Sequence, residues 1–294
     1  MNRILGACVV SMTLPSTAFA QLSNKEAPAV VGHFHLNVTS VEAHKKFWVD
    51  TLGGTALKLG PGNIDVIRFP DALIFLRVQA PTGPSRGTAF DHIGFAVPNV
   101  RDVVAKVRAN GFQTTNGREP KPGQTVSPQA AGTPEEVAGV AYVLGPDGAK
   151  VELVTNRDAN PPPIKYHHVH FINRQYVEMQ QWYMKAFDAT LRPGQTDFFI
   201  GADLPGVGYS LNFFRWEGDQ SVTHVGTAGR VMDHVGFEVK NLQEFCRKLE
   251  AKGITLTTPY GKIPGMSNVA NAFITDPWGV SIELTEGLEA LSKP

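Results

Sequence analysis

Asp91-His92-Ile93-Gly94-Phe95-Ala96-Val97 returns later in the chain as Asp233-His234-Val235-Gly236-Phe237-Glu238-Val239. Two looser copies, Gly32-His33-Phe34 and His167-His168-Val169, also open short apolar runs. A histidine at the same point of four repeated units indicates that the chain arose by duplication, and that the architecture follows the repeat. Because imidazole is a common metal ligand, the repeat also suggests a metal site.

Around each histidine the sequence reads as a strand, an amphipathic helix and then two or three further strands. From His33 to Val38, His33 and His35 point to one side of the predicted strand, whereas Phe34 and Leu36 point to the other. One face of that strand is therefore apolar and the other carries imidazole. The four predicted helices are Val41 to Leu52, Val100 to Ala109, Val177 to Phe187, and Leu242 to Ala251.

Units two and four agree beyond the histidine motif. Each ends in a turn followed by a strand with a glutamate, at Glu152 in unit two and Glu283 in unit four. The turns read Gly145-Pro146-Asp147-Gly148 and Asp276-Pro277-Trp278-Gly279, in which proline and glycine favour a reversal of the chain. These turns support the fold and carry no catalytic signal of their own.

The proline-rich stretch at residues 156–163 is the clearest interruption of the pattern, because three consecutive prolines join neither a helix nor a central strand. We therefore predict a first domain at residues 21–155, a linker at 156–163 and a second domain at 164–294. Each predicted domain contains two consecutive modules.

The first twenty residues predict a secretory signal peptide, with Arg3 before an apolar stretch from Ile4 to Leu14. Ala18-Phe19-Ala20 predicts cleavage after Ala20, so we expect an exported protein, periplasmic or secreted. No later apolar run reaches the roughly 20 residues needed to span a bilayer, and membrane insertion is not expected.

The amino-acid composition limits both the partners and the metal ligands that we expect. The chain carries 27 basic and 27 acidic residues, so no net charge favours nucleic acid as a partner. Beyond the predicted signal peptide only Cys246 is left, so any metal site must use imidazole and carboxylate.

With these motifs the sequence resembles the vicinal oxygen chelate superfamily, which includes glyoxalase I, extradiol dioxygenases and drug-resistance proteins. The resemblance implies an α+β fold of four βαβββ modules, paired into two open curved-barrel domains with a metal on each concave face. Carried over by position, the ligands are His33, His92 and Glu152 in the first domain, and His168, His234 and Glu283 in the second.

Two imidazoles and one carboxylate leave three positions open on an octahedral ion, which favours Fe(II); Mn(II), Zn(II), Ni(II) and Co(II) also suit these ligands. The last strands of units one and three read Ile74-Phe75-Leu76-Arg77 and Ser210-Leu211-Asn212-Phe213. Neither supplies the second acidic ligand that glyoxalase I lyases usually retain. This absence shifts the expectation toward a dioxygenase.

The residues expected to assist catalysis match the catechol-cleaving pattern less well than the metal ligands match theirs. The catechol-cleaving pattern places an acid-base histidine and a tyrosine before the glutamate, but unit four has Phe273 at the tyrosine position and no histidine nearby. Unit two keeps Tyr142 there. His35 and His170 lie two residues beyond predicted ligands on the same strand face, where they could act in acid-base catalysis, support the ligands or replace them.

The sequence thus predicts a metal-dependent enzyme that acts on a small molecule chelated through vicinal oxygens, with a dioxygenase-like reaction favoured. A glyoxalase-like lyase or isomerase is the alternative enzyme, and a small-molecule binding protein of the resistance type is the alternative outside enzymes. A monomer and a homodimer are both compatible with the fused repeat.

Overall fold

A computed structural model describes residues 27–117, 136, 138–266 and 268–288. The predicted signal peptide at residues 1–20 and its cleavage site lie outside the described residues. The part of the chain that is described folds into four modules, each built of one strand, one helix and three strands.

In the first module, Ser40 caps the helix, accepting a hydrogen bond from the backbone N–H of Ala43 at 3.1 Å. That helix begins as an α-helix and continues as a π-helical turn, Lys46–Thr51. The elements of modules one and two are β1 Ala29–Val38, α1 Val41–Lys45, β2 Thr55–Leu59, β3 Ile64–Phe69, β4 Ala72–Val78, β5 Phe90–Val97, α2 Val100–Ala109, β6 Gln113–Thr115, β7 Val140–Leu144 and β8 Lys150–Thr155.

Modules three and four repeat the order. Their elements are β9 Lys165–Asn173, α3 Tyr176–Phe187, β10 Thr190–Leu191, β11 Phe199–Leu204, β12 Gly208–Arg215, β13 Met232–Val239, α4 Leu242–Ala251, β14 Leu256–Lys262, β15 Ala270–Thr275 and β16 Ser281–Glu286. The predicted helices are confirmed, two of them at the predicted bounds, Val100–Ala109 and Leu242–Ala251.

The strands form two eight-stranded sheets, which we call sheet A and sheet B. Sheet A has the order β14-β15-β16-β13-β1-β4-β3-β2, and sheet B the order β10-β11-β12-β9-β5-β8-β7-β6. Sheet A therefore joins modules one and four, and sheet B joins modules two and three. The predicted α+β fold of paired modules is confirmed, in open sheets rather than closed barrels.

The prediction that consecutive modules pair as 21–155 and 164–294 is wrong in its pairing. The proline-rich segment 156–163 connects β8 to β9 inside sheet B, so it does not separate two sheets. Residues 79–89 and 216–231 are the segments that pass from one sheet to the other. These two crossovers run side by side: the N–H of Thr82 donates to the carbonyl of Gly229 at 2.8 Å, and that of Val231 to Gly83 at 3.0 Å.

At the centre of each sheet, the first strands of two modules pair in an antiparallel register that sets histidine against histidine. In sheet A, His35 of β1 lies opposite His234 of β13. In sheet B, His170 of β9 lies opposite His92 of β5. The duplication thus brings two first strands together in each sheet.

The main core lies on the helix-bearing sides of the two sheets. Phe34, Phe95, Phe171 and Phe237 are fully buried there, each on a central strand. Because side chains alternate along a strand, the same strands present their histidines to the opposite, concave face. No helix within the described ranges is long and apolar enough to cross a membrane.

Candidate metal centres

Site I, which we define as His33, His35, His234 and Glu283, lies on the concave face of sheet A. His33 Nε2 and His234 Nε2 lie 3.0 and 3.1 Å from the same carboxylate oxygen, Oε2 of Glu283. The Nε2 atom of His35 is 3.4 Å from that oxygen. Three imidazoles therefore converge on one carboxylate oxygen.

Neighbouring residues orient two of these groups. Asp233 accepts at Oδ1 from His234 Nδ1 at 2.7 Å, so Nε2 of that imidazole faces Glu283. Its other oxygen accepts from the backbone N–H of Gly229 at 2.6 Å and from Nδ2 of Asn37 at 2.9 Å. An aspartate behind a histidine fixes the tautomer of a metal ligand in just this way.

Asn271 holds the second oxygen of Glu283, donating from Nδ2 to Oε1 at 2.8 Å. Burial alone would raise the pKa of this carboxyl, but hydrogen bonds from His234 and His33 hold it well below its usual range. For His234 burial acts to lower the pKa, and the contacts with Asp233 and Glu283 outweigh it and raise the pKa. Glu283 is therefore ionised at neutral pH and available as a ligand.

His35 differs from its neighbours in its exposure. Its ring stacks between Phe75, at 4.4 Å between ring centroids, and His234, at 4.2 Å. Its side chain is 27% exposed, whereas that of His33 is fully buried. His35 therefore reaches solvent from inside the site.

Site II, defined as His92, Glu152, His168 and His170, occupies the equivalent place on sheet B. Glu152 Oε2 lies 2.6 Å from His92 Nε2 and 3.2 Å from His168 Nε2. His170 Nδ1 lies 3.0 Å from His92 Nε2 and 3.7 Å from the same carboxylate oxygen. The donor set of site I is thus repeated.

The group behind His92 is a buried ion pair. Asp91 Oδ2 lies 2.5 Å from His92 Nδ1 and accepts a hydrogen bond from Lys150 Nζ at 2.7 Å. The buried Asp91 keeps a pKa below its usual range because Lys150 and His92 outweigh the effect of burial. In site I the corresponding aspartate is held by neutral donors instead.

His170 is buried and enclosed by aromatic rings. Its side chain is 2% exposed, and the ring of Phe214 lies 3.9 Å away between centroids. Burial, followed by the charge of His92, lowers the pKa of His170 to about 3, so the imidazole is neutral. Its Nε2 is buried without a hydrogen-bond partner among the described residues.

Two further residues singled out by the sequence lie beside the sites, Tyr142 at site II and Phe273 at site I. The ring of Tyr142 is buried and packs edge-on against His92 at 5.3 Å. Phe273 packs against His234 at 5.3 Å in the same manner. His167 lies next to site II, with Nδ1 2.8 Å from Nδ1 of His168.

The glycine of each repeated motif makes room for a histidine of the partner module. Gly236 lies opposite His33, and Gly94 lies opposite His168. A Cβ atom on either glycine would overlap the imidazole ring that faces it. The motif therefore encodes both a ligand and the space for the ligand across the strand pair.

The two clusters fit a divalent metal ion. In each, one ligand atom from all four residues lies within 4.8 Å of the others. Bonds of about 2.0–2.2 Å from imidazole and carboxylate to one ion require such spacing. The sets combine neutral imidazoles with one ionised carboxylate, and His33 Nδ1 and His170 Nε2 are buried without partners among the described atoms.

The predicted grouping of the six ligands is wrong, although each predicted ligand lies in a cluster. His33 lies with His234 and Glu283 rather than with His92, and His168 lies with His92 and Glu152. The cause is the pairing of modules one with four and two with three. His35 joins site I and His170 joins site II, as their positions on the strands predict.

Sequence reasoning missed the supporting residues. Asp91 and Asp233 stand immediately before the ligand histidines in the repeated motif, and that adjacency was the available signal. Asn271 lies on the strand beside that of Glu283, and Lys150 lies two residues before Glu152 on the same strand; no motif distinguishes either residue.

The fold and the sites define a class of protein: fused βαβββ modules that present His and Glu ligands on the concave face of open sheets. A family model described as the Glyoxalase/Bleomycin resistance protein/Dioxygenase superfamily matches residues 30–153 and 123–284. The chain belongs to this superfamily.

Among curated proteins, lactoylglutathione lyase from Escherichia coli O157:H7 is 34% identical over 73 residues. These residues are 25% of this chain and 45% of that enzyme, so the chain spans less than half the length of the curated relative. The matched part therefore shows relatedness without showing a shared reaction.

Among solved structures, glyoxalase I from Zea mays has a TM-score of 0.63 at 18% identity, covering 90% of this chain and 94% of that one. A Bacillus subtilis subsp. subtilis str. 168 protein, whose own assignment as a dioxygenase is provisional, has a TM-score of 0.62 at 11% identity, covering 90% and 86%. At these identities the likeness shows the fold alone.

Proposed function

We propose that this protein is an exported, divalent-metal-dependent enzyme that acts on a small molecule binding the ion through two neighbouring oxygens. The observation that carries the proposal is the convergence of His33, His234 and Glu283 within about hydrogen-bond distance of one point, beside a partly exposed His35. Site I combines a complete ligand set with an approach for substrate.

The residues of site I have distinct tasks in this proposal. His33, His234 and Glu283 hold the ion, while Asp233 and Asn271 fix the orientation of two of these ligands. When bound, the ion supplies Lewis-acid chemistry to the chelated oxygens and, as Fe(II), reactivity toward dioxygen. His35 faces the same space, where its exposed edge can accept or donate a proton on the substrate.

We further propose that the reaction is an oxidation by dioxygen, with Fe(II) as the preferred ion. Phe75 lies directly opposite His35 on β4, and Asn212 lies opposite His170 on β12. No carboxylate stands at these positions, so the second acidic ligand expected of a glyoxalase I lyase is missing. Two imidazoles and one carboxylate leave room for both a chelating substrate and dioxygen.

The substrate is expected to differ from an ordinary catechol. In site I the tyrosine position of the catechol-cleaving pattern holds Phe273, whose ring packs on His234 and cannot donate a hydrogen bond. Tyr142 occupies that position in site II. In site I, we propose His35 as the acid or base, because it is partly exposed and lies beside the carboxylate of Glu283.

A glyoxalase-like lyase or isomerase is the second candidate. The partial match to lactoylglutathione lyase and the fold shared with glyoxalase I support it. It requires Lewis-acid catalysis only, so Ni(II), Co(II), Mn(II) or Zn(II) would serve.

One set of assays separates these candidates. Metal-free protein is loaded with Fe(II), and oxygen uptake is followed with a panel of vicinal diols and α-hydroxy ketones. Oxygen uptake supports the dioxygenase. Isomerisation of a hemithioacetal with Ni(II), Co(II) or Zn(II), independent of oxygen, would instead establish the lyase. Failure to bind any ion would contradict both and favour a small-molecule binding protein.

Export is tested separately. Fractionation of the source cells, followed by N-terminal sequencing, should find the protein outside the cytoplasm with Gln21 as its first residue. A cytoplasmic protein that retains Met1 would contradict this part of the proposal.

A further inference from the structure

Sites I and II share their ligand types but differ in access. The side chains of site II are almost wholly enclosed: His92 is 0%, His168 2%, His170 2% and Glu152 10% exposed. In site I the imidazole of His35 is 27% exposed. A substrate can thus approach site I along His35, while the equivalent direction in site II is filled.

In site II the position equivalent to that of His35 is held by His170, and aromatic rings enclose it. The ring of Phe214 covers one side of this imidazole at 3.9 Å, and Phe199 lies 6.0 Å away. Its Nδ1 faces the ligands, 3.0 Å from His92 Nε2. Its Nε2 is buried and has no hydrogen-bond partner among the described residues, so this atom is closed off from solvent and cannot act on a bound molecule.

On this basis we infer that His170 is the fourth protein ligand of site II, which makes that site a closed centre of three imidazoles and one carboxylate with a stabilising role. Site I keeps three protein ligands and an open face. This inference rests on the proposed metal-dependent function, because both sites must first bind an ion.

The buried pair behind His92 agrees with such a role. Lys150 Nζ donates to Asp91 at 2.7 Å and to the carbonyl of Gly117 at 2.9 Å. This lysine therefore connects the backbone of the residues after β6 to the aspartate that orients His92. A permanently bound ion at site II would tie β5, β8 and β9 together.

Two variants isolate the sites. Glu283→Gln should leave site II as the only complete centre, and Glu152→Gln should leave site I. Each metal-free protein is loaded with Co(II), whose visible spectrum reports its ligands, and is then treated with 4-nitrocatechol, a coloured vicinal diol. We expect the diol to change the Co(II) spectrum of the Glu152→Gln protein but not that of the Glu283→Gln protein.

The nitrogen count provides a second measurement. Pulsed electron paramagnetic resonance of Cu(II)-loaded protein should find three histidine nitrogens in the Glu283→Gln variant and two in the Glu152→Gln variant. This comparison needs no substitution at His170, so it stands even where such a variant fails to fold. His170→Ala, where folded, should weaken Co(II) binding at site II at least about 10-fold, while His35→Ala changes site I less.

Exchange of the ion completes the test. Excess chelator should remove one ion from the wild-type protein rapidly and the other at least about 10-fold more slowly, as burial of site II requires. Equal removal rates, equal nitrogen counts or equal responses to 4-nitrocatechol would overturn the inference while leaving the metal-dependent function intact. A wild-type protein that binds no Co(II) or Fe(II) would overturn the proposed function itself.

Discussion

Sites I and II are two copies of one ligand set inside a single chain, so their surroundings can be compared directly. Both keep a histidine from each of two first strands, a glutamate from a last strand and a glycine that admits the facing ring. They differ in what surrounds those groups: Asp233 is held by neutral donors, whereas Asp91 is held by Lys150. The ligands were thus retained while the support and the access around them diverged.

Loss of the site I carboxylate should give the largest effect. Glu283→Gln replaces an ionised ligand with a neutral amide, so the affinity of site I for its ion should fall by more than about 100-fold. Loss of a residue that only hydrogen-bonds to a metal ligand already lowers metal affinity by about 10–100-fold. Turnover should fall in parallel, as measured by oxygen uptake or isomerisation with the loaded protein. Turnover kept in Glu283→Gln and lost in Glu152→Gln would reverse the assignment of the catalytic site.

The two motif glycines offer a matched test of the strand pairing. Alanine at Gly236 should displace the ring of His33, and alanine at Gly94 that of His168, because each Cβ would overlap the facing imidazole. Each change should weaken its own site by about 10–100-fold in a Co(II) titration and leave the other site unchanged.

Gly261→Ala is the control for these glycines, because the nearest atom to its Cβ would be 4.0 Å away. This variant should bind both ions normally. If His33→Ala weakens the ion bound by Glu152 rather than the ion bound by Glu283, modules one and four do not pair in solution.

Most of the fold followed from the sequence because the repeat, the helix patterns and the proline-glycine turns are local signals. The pairing of modules did not, because the four first strands are so similar that the sequence does not distinguish β1 with β13 from β1 with β5. The proline-rich segment 156–163 was predicted to be a domain boundary, yet it joins strands of one sheet. The crossovers at 79–89 and 216–231 carry no comparable composition signal.

The candidate ligands were predictable one by one for the same reason. Their alternation on short strands placed His33, His35 and the glutamates on one face, but their grouping needed the register of β1 against β13. The contact of Asn271 with Glu283 joins residues on separate strands of a hairpin. A single asparagine in a strand carries no sequence signal that predicts such a contact.

The aspartates behind the histidines should separate metal affinity from stability. Asp233→Asn and Asp91→Asn should each weaken the ion at their own site by about 10-fold or more, because the ligand histidine loses the anionic acceptor that orients it. Asp91→Asn should also destabilise the metal-free protein by roughly 3–5 kcal/mol, since Lys150 is left buried without its anionic partner.

Asp233→Asn should cost less than about 2 kcal/mol, because the partners it leaves are the neutral donors of Gly229 and Asn37. Urea unfolding of the metal-free variants, beside Co(II) titrations, measures both quantities. Equal stability losses in the two variants would show that the Lys150 pair does not distinguish the sites.

The smallest expected effect concerns the pH dependence of stability at the turns before β8 and β16. Each turn contains an aspartate, and the pKa values of the two aspartates are shifted in opposite directions. Asp147 accepts hydrogen bonds from the N–H and hydroxyl of Thr39, and these with His44 outweigh burial and lower its pKa. Burial raises the pKa of Asp276 to about 7, despite the N–H donors of Trp278 and Val280. One turn thus stabilises its ionised carboxylate and the other favours the protonated acid.

The direction of the pH effect on stability follows from the difference between the pKa of Asp276 in the folded state and its pKa in the unfolded state. The raised pKa of Asp276 gives a contribution to stability that is complete below about pH 4 and is lost as the pH rises to about 7. Asp276→Asn keeps an acceptor for the N–H groups and cannot ionise, so its melting temperature should exceed that of wild type at pH 8, and the gap should narrow toward pH 5. A shift of about 2–4 °C per kcal/mol is expected at this size. Asp147→Asn should instead lose stability near neutral pH and approach wild type only in acid, where Asp147 itself protonates. A gap between Asp276→Asn and wild type that stays constant from pH 5 to 8 would show that Asp276 does not titrate there, and the two turns would then differ in contacts alone.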